Sequence, residues 1–122
     1  MNYIQDLYQL DGKTAVITGG TGVLCRAMAE GLGKAGCSLV LLDINARNCD
    51  AEVKRLRDMN IEVEALTCDV LNRDNLEKCA QHIADTRGEP DILINAAGVN
   101  SSTPFFDITE AEYDKIMGVN LK

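Results

Sequence analysis

No apolar run in this 122-residue chain approaches the roughly 18 residues of a helical membrane span, so no membrane segment is expected. The opening stretch, Met1 to Leu10, carries Asp6 and lacks a basic cluster, so it does not read as a secretory leader. Cysteine pairs of the C-x-x-C type are missing. Cys25, Cys37, Cys49, Cys68 and Cys79 stand singly and are odd in number, which argues against a zinc site, a redox pair or a disulfide framework. All five sit in or beside apolar segments, where free cysteine acts as a small hydrophobe, and this implies a reducing, cytoplasmic setting. Positive charge is scarce as well: 12 Lys and Arg against 19 Asp and Glu leave a net charge of −7. Nucleic acid and anionic membrane both need a basic face, so neither is expected as a partner. Repeats, low-complexity tracts and linkers are absent, and the length allows one domain at most. The single histidine, His82, falls on the polar side of a helical segment, where solvent is its expected neighbour.

What is present is an ordinary globular composition, 46% hydrophobic and 25% charged, whose hydrophobic period alternates between strand and helix. After a lead-in over residues 1–12, strands are expected at about Thr14–Thr18, Ser38–Leu42, Glu62–Thr67 and Ile92–Ile94. The helix between the first two strands, Val23 to Ala35, places Leu24, Ala27, Met28, Gly31 and Ala35 on one face, and Gly36 stops it. Asn45 can cap a second helix with Ala46, Cys49, Val53 and Leu56 inward. Asn72 can cap a third with Leu76, Cys79, Ala80, Ile83 and Ala84 inward, ended by Gly88 and Pro90. Thr109 and Glu112 form a capping box that opens a fourth. Continuous apolar strands such as Leu39-Val40-Leu41-Leu42 suit a parallel sheet covered on both faces. The expected fold is therefore α/β, a doubly wound parallel sheet of the Rossmann type with visible strand order 3-2-1-4, broken off after the fourth strand and helix.

Such sheets bind ligands beyond the carboxyl ends of their strands, and the chemically marked residues fall there. Thr18, Gly19, Gly20, Thr21 and Gly22 form a glycine-rich turn between the first strand and the helix that opens with Val23 and Leu24. Glycines let the backbone approach a pyrophosphate, and the free N–H groups of a helix start attract its charge. Asp43 lies 24 residues beyond Gly19 and closes the second strand. A carboxylate there can accept from both hydroxyls of an adenosine ribose and would repel a 2′-phosphate, and Ile44, not a cation, follows it. This favours NAD over NADP, although Arg47 lies near. A carboxylate capping the next turn is the alternative reading of Asp43. Asp69 with Val70 would approach the adenine from the third strand, or make an Asx turn before a helix. Asn95, Ala96, Ala97 and Gly98 would form a small-residue wall beside the cofactor.

From Leu10-Asp11-Gly12-Lys13 to Val119-Asn120-Leu121-Lys122 the chain resembles the N-terminal half of a short-chain dehydrogenase/reductase. The resemblance implies that the glycine turn binds pyrophosphate, that the acidic residue after the second strand selects NAD, and that Asp69-Val70 holds the adenine. It implies that Asn95-Ala96-Ala97-Gly98 supports the site in place of the family's Asn-Asn-Ala-Gly, and that Asn120 kinks the fourth helix and anchors a water of the proton relay. The turn departs from T-G-x-x-x-G-x-G, since Val23 and Cys25 stand where glycines belong. Read as T-G-x-x-G-x-x-G, the pattern of the extended epimerase branch, Gly22 fits and only Cys25 departs. Sugar-acid dehydrogenases of the D-mannonate oxidoreductase type have a similar G-G-x-G-V-L-C turn.

The family's catalytic tyrosine, with a lysine four residues later, has no counterpart here. Leu7, Gly12 and Met117 follow Tyr3, Tyr8 and Tyr113 at that spacing. The chain thus reads as a truncated piece that can at most bind cofactor. The intact protein is expected to be an NAD-dependent oxidoreductase of a secondary alcohol or ketone, a sugar acid or polyol first. It is expected to work as a homodimer or homotetramer on a small-molecule substrate. An extended-branch epimerase or dehydratase and a non-catalytic dinucleotide-binding remnant are the alternatives.

Overall fold

The computed structural model describes residues 2–121. Met1 and Lys122, the last residue of the Val-Asn-Leu-Lys match, lie outside the described residues. The chain order is α1 (Tyr3–Tyr8), β1 (Thr14–Thr18), α2 (Val23–Lys34), β2 (Ser38–Asp43), α3 (Ala46–Arg57), β3 (Val63–Thr67), α4 (Arg73–Arg87), β4 (Ile92–Asn95), a 3-10 turn at Phe105–Asp107, and α5 (Glu110–Asn120). The four strands are all parallel, in the order β3-β2-β1-β4. This is the doubly wound order, and each strand lies within one residue of where its apolar run predicts.

Every residue of β1 is buried, because β2 and β4 flank it and helices cover the sheet. Successive side chains point to opposite faces and build two cores. Ala15, Ile17, Leu39 and Leu41 meet Cys25 and Ala29 of α2 and Leu56 of α3 on one face. Val16, Val40 and Leu42 meet Cys68 with Cys79 and Ile83 of α4 on the other. The edge strands β3 and β4 are only partly buried.

Helix ends follow the side chains that cap them. Asn2, Asn45, Asn72 and Thr109 each accept a hydrogen bond from the backbone three residues on, opening α1, α3, α4 and α5. Glu112 does not complete its box simply: its carboxylate turns to the Ser101 and Thr103 hydroxyls.

The helix faces depart from the hydrophobic count. In α2 the structure buries Cys25 and Ala29 and packs Met28 and Leu32 beside them, while Leu24, Ala27 and Gly31 are exposed. Close approach decides this. A Cβ on Gly33 would lie 2.4 Å from Ile61 Cγ2, so the small residues Cys25, Ala29 and Gly33, one turn apart, set the face on which the helix can rest. In α3, Ala46 is exposed and the charged Glu52 is buried between Cys49 and Leu56. It survives there because Arg26 Nε (3.1 Å) and Arg55 Nε (2.9 Å) and Nη2 (2.6 Å) donate to it. In α4 only the line Leu76, Cys79, Ile83 reaches the core, and Ala80 and Ala84 face outward. His82 is half-exposed with Nε2 3.0 Å from Glu64 Oε1.

All five cysteines are buried and unpaired. Burial pushes up the thiols of Cys25, Cys37 and Cys49, and burial with the neighbouring Cys79 thiol raises Cys68 to about 11. Buried thiols with little thiolate are poor nucleophiles. An aromatic disulfide reagent at pH 8 should therefore leave the folded chain essentially untouched and titrate five thiols once denaturant is added. Rapid labelling of the native chain would contradict the packing described.

Candidate functional site

Parallel register brings the marked residues to one rim. Thr18 pairs with Leu42 and with Asn95, and Asp43 pairs with Thr67, one residue before the Cys68-Asp69 exit of β3. At the end of β1 the chain turns through Gly19 at φ +64°, where a Cβ would lie 2.9 Å from Ala97 Cα and 3.0 Å from Ala96 O. Two backbones meet there with no room for a side chain. The Thr18 hydroxyl reinforces the junction by accepting from Ala96 N–H (3.1 Å) and Ala97 N–H (3.2 Å).

Around this junction opens a cavity of about 600 Å³. Gly19, Thr21 and Gly22 form one side, Asp43, Ile44, Asp69 and Val70 the second, and Ala96, Ala97 and Gly98 the third. Thr18, Gly20 and Asn95 do not line it: Thr18 and Gly20 are buried behind the wall, and Asn95 sits beside Thr18 in the sheet. Val23 and Leu24 expose their side chains on the first turn of α2, outside the lining. Cys25, at the position of the missing glycine, points into the core below α2 and takes no space from the cavity.

Both carboxylates are already engaged in the turns that hold them. Asp43 Oδ2 accepts from Thr21 N–H and hydroxyl, and Oδ1 accepts from Asn45 N–H. Asp69 Oδ1 accepts from Leu71 N–H at 2.9 Å, an Asx turn, while the residue also faces the cavity. Asn120 closes the far side: Oδ1 accepts from Val99 N–H (2.8 Å) and Nδ2 donates to Val99 O (2.7 Å). This clamp ties the end of α5 to the loop after β4. The Ser101 and Thr103 hydroxyls pin the same loop to Glu112, and their hydrogen bonds hold its carboxyl below the usual range.

Lys115 and Val119 of α5, with Val99 and Leu71, also line the cavity. Sequence reasoning passed over them. Val119 lay inside the matched Val-Asn-Leu-Lys run and could have been singled out, whereas Lys115 carries no motif and owes its place to the packing of α5.

The residues present fit an adenine dinucleotide. Among the five α-helices, α2 alone has no side-chain cap, since Gly22 offers no acceptor to its first turn. Those N–H groups have no intrahelical carbonyl and suit a diphosphate. The carboxylates beside them suit hydroxyl and amine donors. Among the described residues, no three His, Cys, Asp or Glu side chains gather as a metal site, and no helix is long and apolar enough to cross a membrane.

An open parallel sheet with its cavity at the point where the strand order reverses defines a Rossmann-type α/β domain. The family model of short chain dehydrogenases matches residues 13–122. A 5-keto-D-gluconate 5-reductase of Escherichia coli is 31% identical over 117 residues, 96% of this chain and 46% of its own length. An uncharacterized oxidoreductase, UxuB, of Bacillus subtilis is 41% identical over 103 residues, covering 84% of this chain and 37% of its own. A crystal structure described as a D-mannonate oxidoreductase from Haemophilus influenzae, with bound NAD, superposes with TM-score 0.86 at 27% identity, covering 97% of this chain and 48% of that one. The chain belongs to the short-chain dehydrogenase family of oxidoreductases, whose fold binds NAD(P), and it spans about half the length of the curated relatives it matches.

Two glycine substitutions test the junction. Gly19→Ala forces a side chain into left-handed backbone and against Ala97, and should lower the unfolding free energy by about 2 kcal/mol or more. Gly31→Ala meets nothing within 4 Å in an exposed helix and should raise it by up to about 1 kcal/mol. Urea denaturation of both variants measures the contrast.

Proposed function

We propose that the intact protein is an NAD-dependent dehydrogenase/reductase that moves hydride between nicotinamide and a secondary alcohol or ketone, with sugar acids and polyols as the substrate class. The observation that carries the NAD assignment is Asp43. Its carboxylate closes β2 beside the mouth of the glycine turn and is followed by exposed Ile44. A negative charge at that corner favours a free ribose diol over a 2′-phosphate. The relatives' names, a 5-keto-D-gluconate reductase and a D-mannonate oxidoreductase holding NAD, support the substrate class and the cofactor.

Within this reading residues 1–122 are the first half of the nucleotide-binding domain. The first turn of α2, together with Gly19, Thr21 and Gly22, receives the diphosphate. Asp69 and Val70 take the adenine, and Ala96 to Gly98 form the wall behind it. NAD, when bound, supplies the hydride acceptor. Asn120 holds the loop at Val99 through its side-chain amide and stands beside the water of the proton relay. The general base, a tyrosine with a lysine four residues on, lies outside these residues, so the 122-residue chain binds without turnover. In this reading the intact protein works in the cytoplasm as a homodimer or homotetramer.

Titration of the chain with NADH, followed by nicotinamide fluorescence after circular dichroism has shown it folded, should saturate. NADPH should bind at least about tenfold more weakly, a difference of about 1.4 kcal/mol. Equal affinities would overturn the NAD assignment, and a folded chain that binds neither nucleotide would overturn the dinucleotide site.

A further inference from the structure

Among the described residues, helix α5 buries no side chain and adds none to either core, yet it carries Lys115 and Val119 to the cavity. Packing into the core does not seat it; polar contacts with the loop after β4 do. At its end Asn120 holds Val99 through both groups of its side-chain amide. At its start the Ser101 and Thr103 hydroxyls donate to a single oxygen, Glu112 Oε1, Thr103 at 2.8 Å. Ser101 Oγ in turn accepts from Thr103 N–H at 2.9 Å, which ties the two donors into one unit.

The two attachments match the lengths of the segments they join. Asn120 lies eight residues after Glu112, a helical rise of about 12 Å. The four steps from Val99 to Thr103 cover about 13 Å when extended. Exposure along that stretch alternates, with Val99, Ser101 and Thr103 turned inward and Asn100 and Ser102 outward, as in extended chain. The loop therefore runs antiparallel along α5 and is fastened at both ends. The Ser101 hydroxyl first, and then that of Thr103, holds the Glu112 carboxyl below the usual carboxylate range. Bonds to such a charged acceptor are the stronger kind.

We infer that Glu112 is a positioning residue of the cavity: through the Ser101 and Thr103 hydroxyls it locks the loop and α5 into one wall, so that Val99, Lys115 and Val119 are in place before a ligand arrives. The inference rests on reading the cavity as a dinucleotide site. Asn120 by itself fixes one end and leaves the loop beyond Val99 free to pivot. A second attachment removes that freedom, and a nucleotide that meets an ordered wall spends no binding energy on ordering it. Glu112 does not line the cavity; its effect passes through the loop.

The test uses the full-length gene product that contains these residues, with NADH dissociation constants from calorimetry and amide hydrogen exchange read residue by residue. Glu112→Ala should weaken NADH binding about tenfold, the order expected for losing hydrogen bonds to a charged group. It should also speed exchange of the Thr103 amide while the amides of β1 keep their protection. Glu112→Gln still presents a carbonyl oxygen to the same hydroxyls and should recover most of the affinity. Ser101→Ala combined with Thr103→Val leaves α5 untouched and should weaken NADH as much as Glu112→Ala does, which supplies the comparison where Glu112→Ala fails to fold. Adding Glu112→Ala to that pair should cost nothing more, since all three changes remove one contact. Glu110→Ala removes an acid from the same first turn and should bind NADH as the wild type does, which separates the loop contact from the helix dipole. Wild-type affinity in Glu112→Ala or in the Ser101→Ala/Thr103→Val protein, or a further loss when all three are combined, overturns the role of Glu112 while leaving the site intact. Failure of the wild-type protein to bind NADH overturns the underlying site and the inference with it.

Discussion

The cavity at the end of this sheet depends on two stretches of backbone touching without side chains between them. Gly19 and Ala97 come from strands separated by more than seventy residues of chain, yet they lie so close that a single methyl group on Gly19 would overlap Ala97 Cα. That approach needs left-handed backbone at Gly19 and an acceptor to hold the Ala96 and Ala97 amides, which the Thr18 hydroxyl provides. With the junction made, α2 starts at the rim with its first amides uncapped, and β2 delivers Asp43 next to them.

Around the junction, polar contacts fix the loops that a sheet alone would leave free. Asn120 grips Val99 from both sides, and the Ser101 and Thr103 hydroxyls draw the following loop onto Glu112. Asp43 and Asp69 each order the turn that presents them. The same two carboxylates thus build their turns and line the cavity. The buried Glu52 works differently: it joins α2 to α3 through Arg26 and Arg55, and its charge is tolerated because two guanidiniums answer it inside the fold.

Much of this was legible in the chain. Continuous apolar runs ending at Thr18 and Asp43 marked buried parallel strands, because only a strand covered on both faces keeps both of its sides apolar. Asn45, Asn72 and Thr109 marked helix starts, because each can accept from an amide that has no other partner. The helix faces were less legible. Hydrophobicity pointed to Leu24, Ala27 and Gly31, but α2 rests on Cys25, Ala29 and Gly33, since small volume, not apolarity, limits how near a helix can lie to Ile61 and the sheet. Ala46, Ala80 and Ala84 point outward for a related reason: alanine is cheap to expose, so its spacing is a weak guide. Lys115 had no local mark at all.

What the sequence determined by itself is the order of elements, the parallel sheet and the four positions where strands end. These are local properties of period, capping and turn chemistry, readable a few residues at a time. Tertiary structure alone decided which side of each helix is buried, that Glu52 can be buried as a charge, and that the Thr21 hydroxyl meets Asp43. Those outcomes depend on distances between segments far apart in the chain, and no local pattern encodes a distance that exists only after the sheet has brought the segments together.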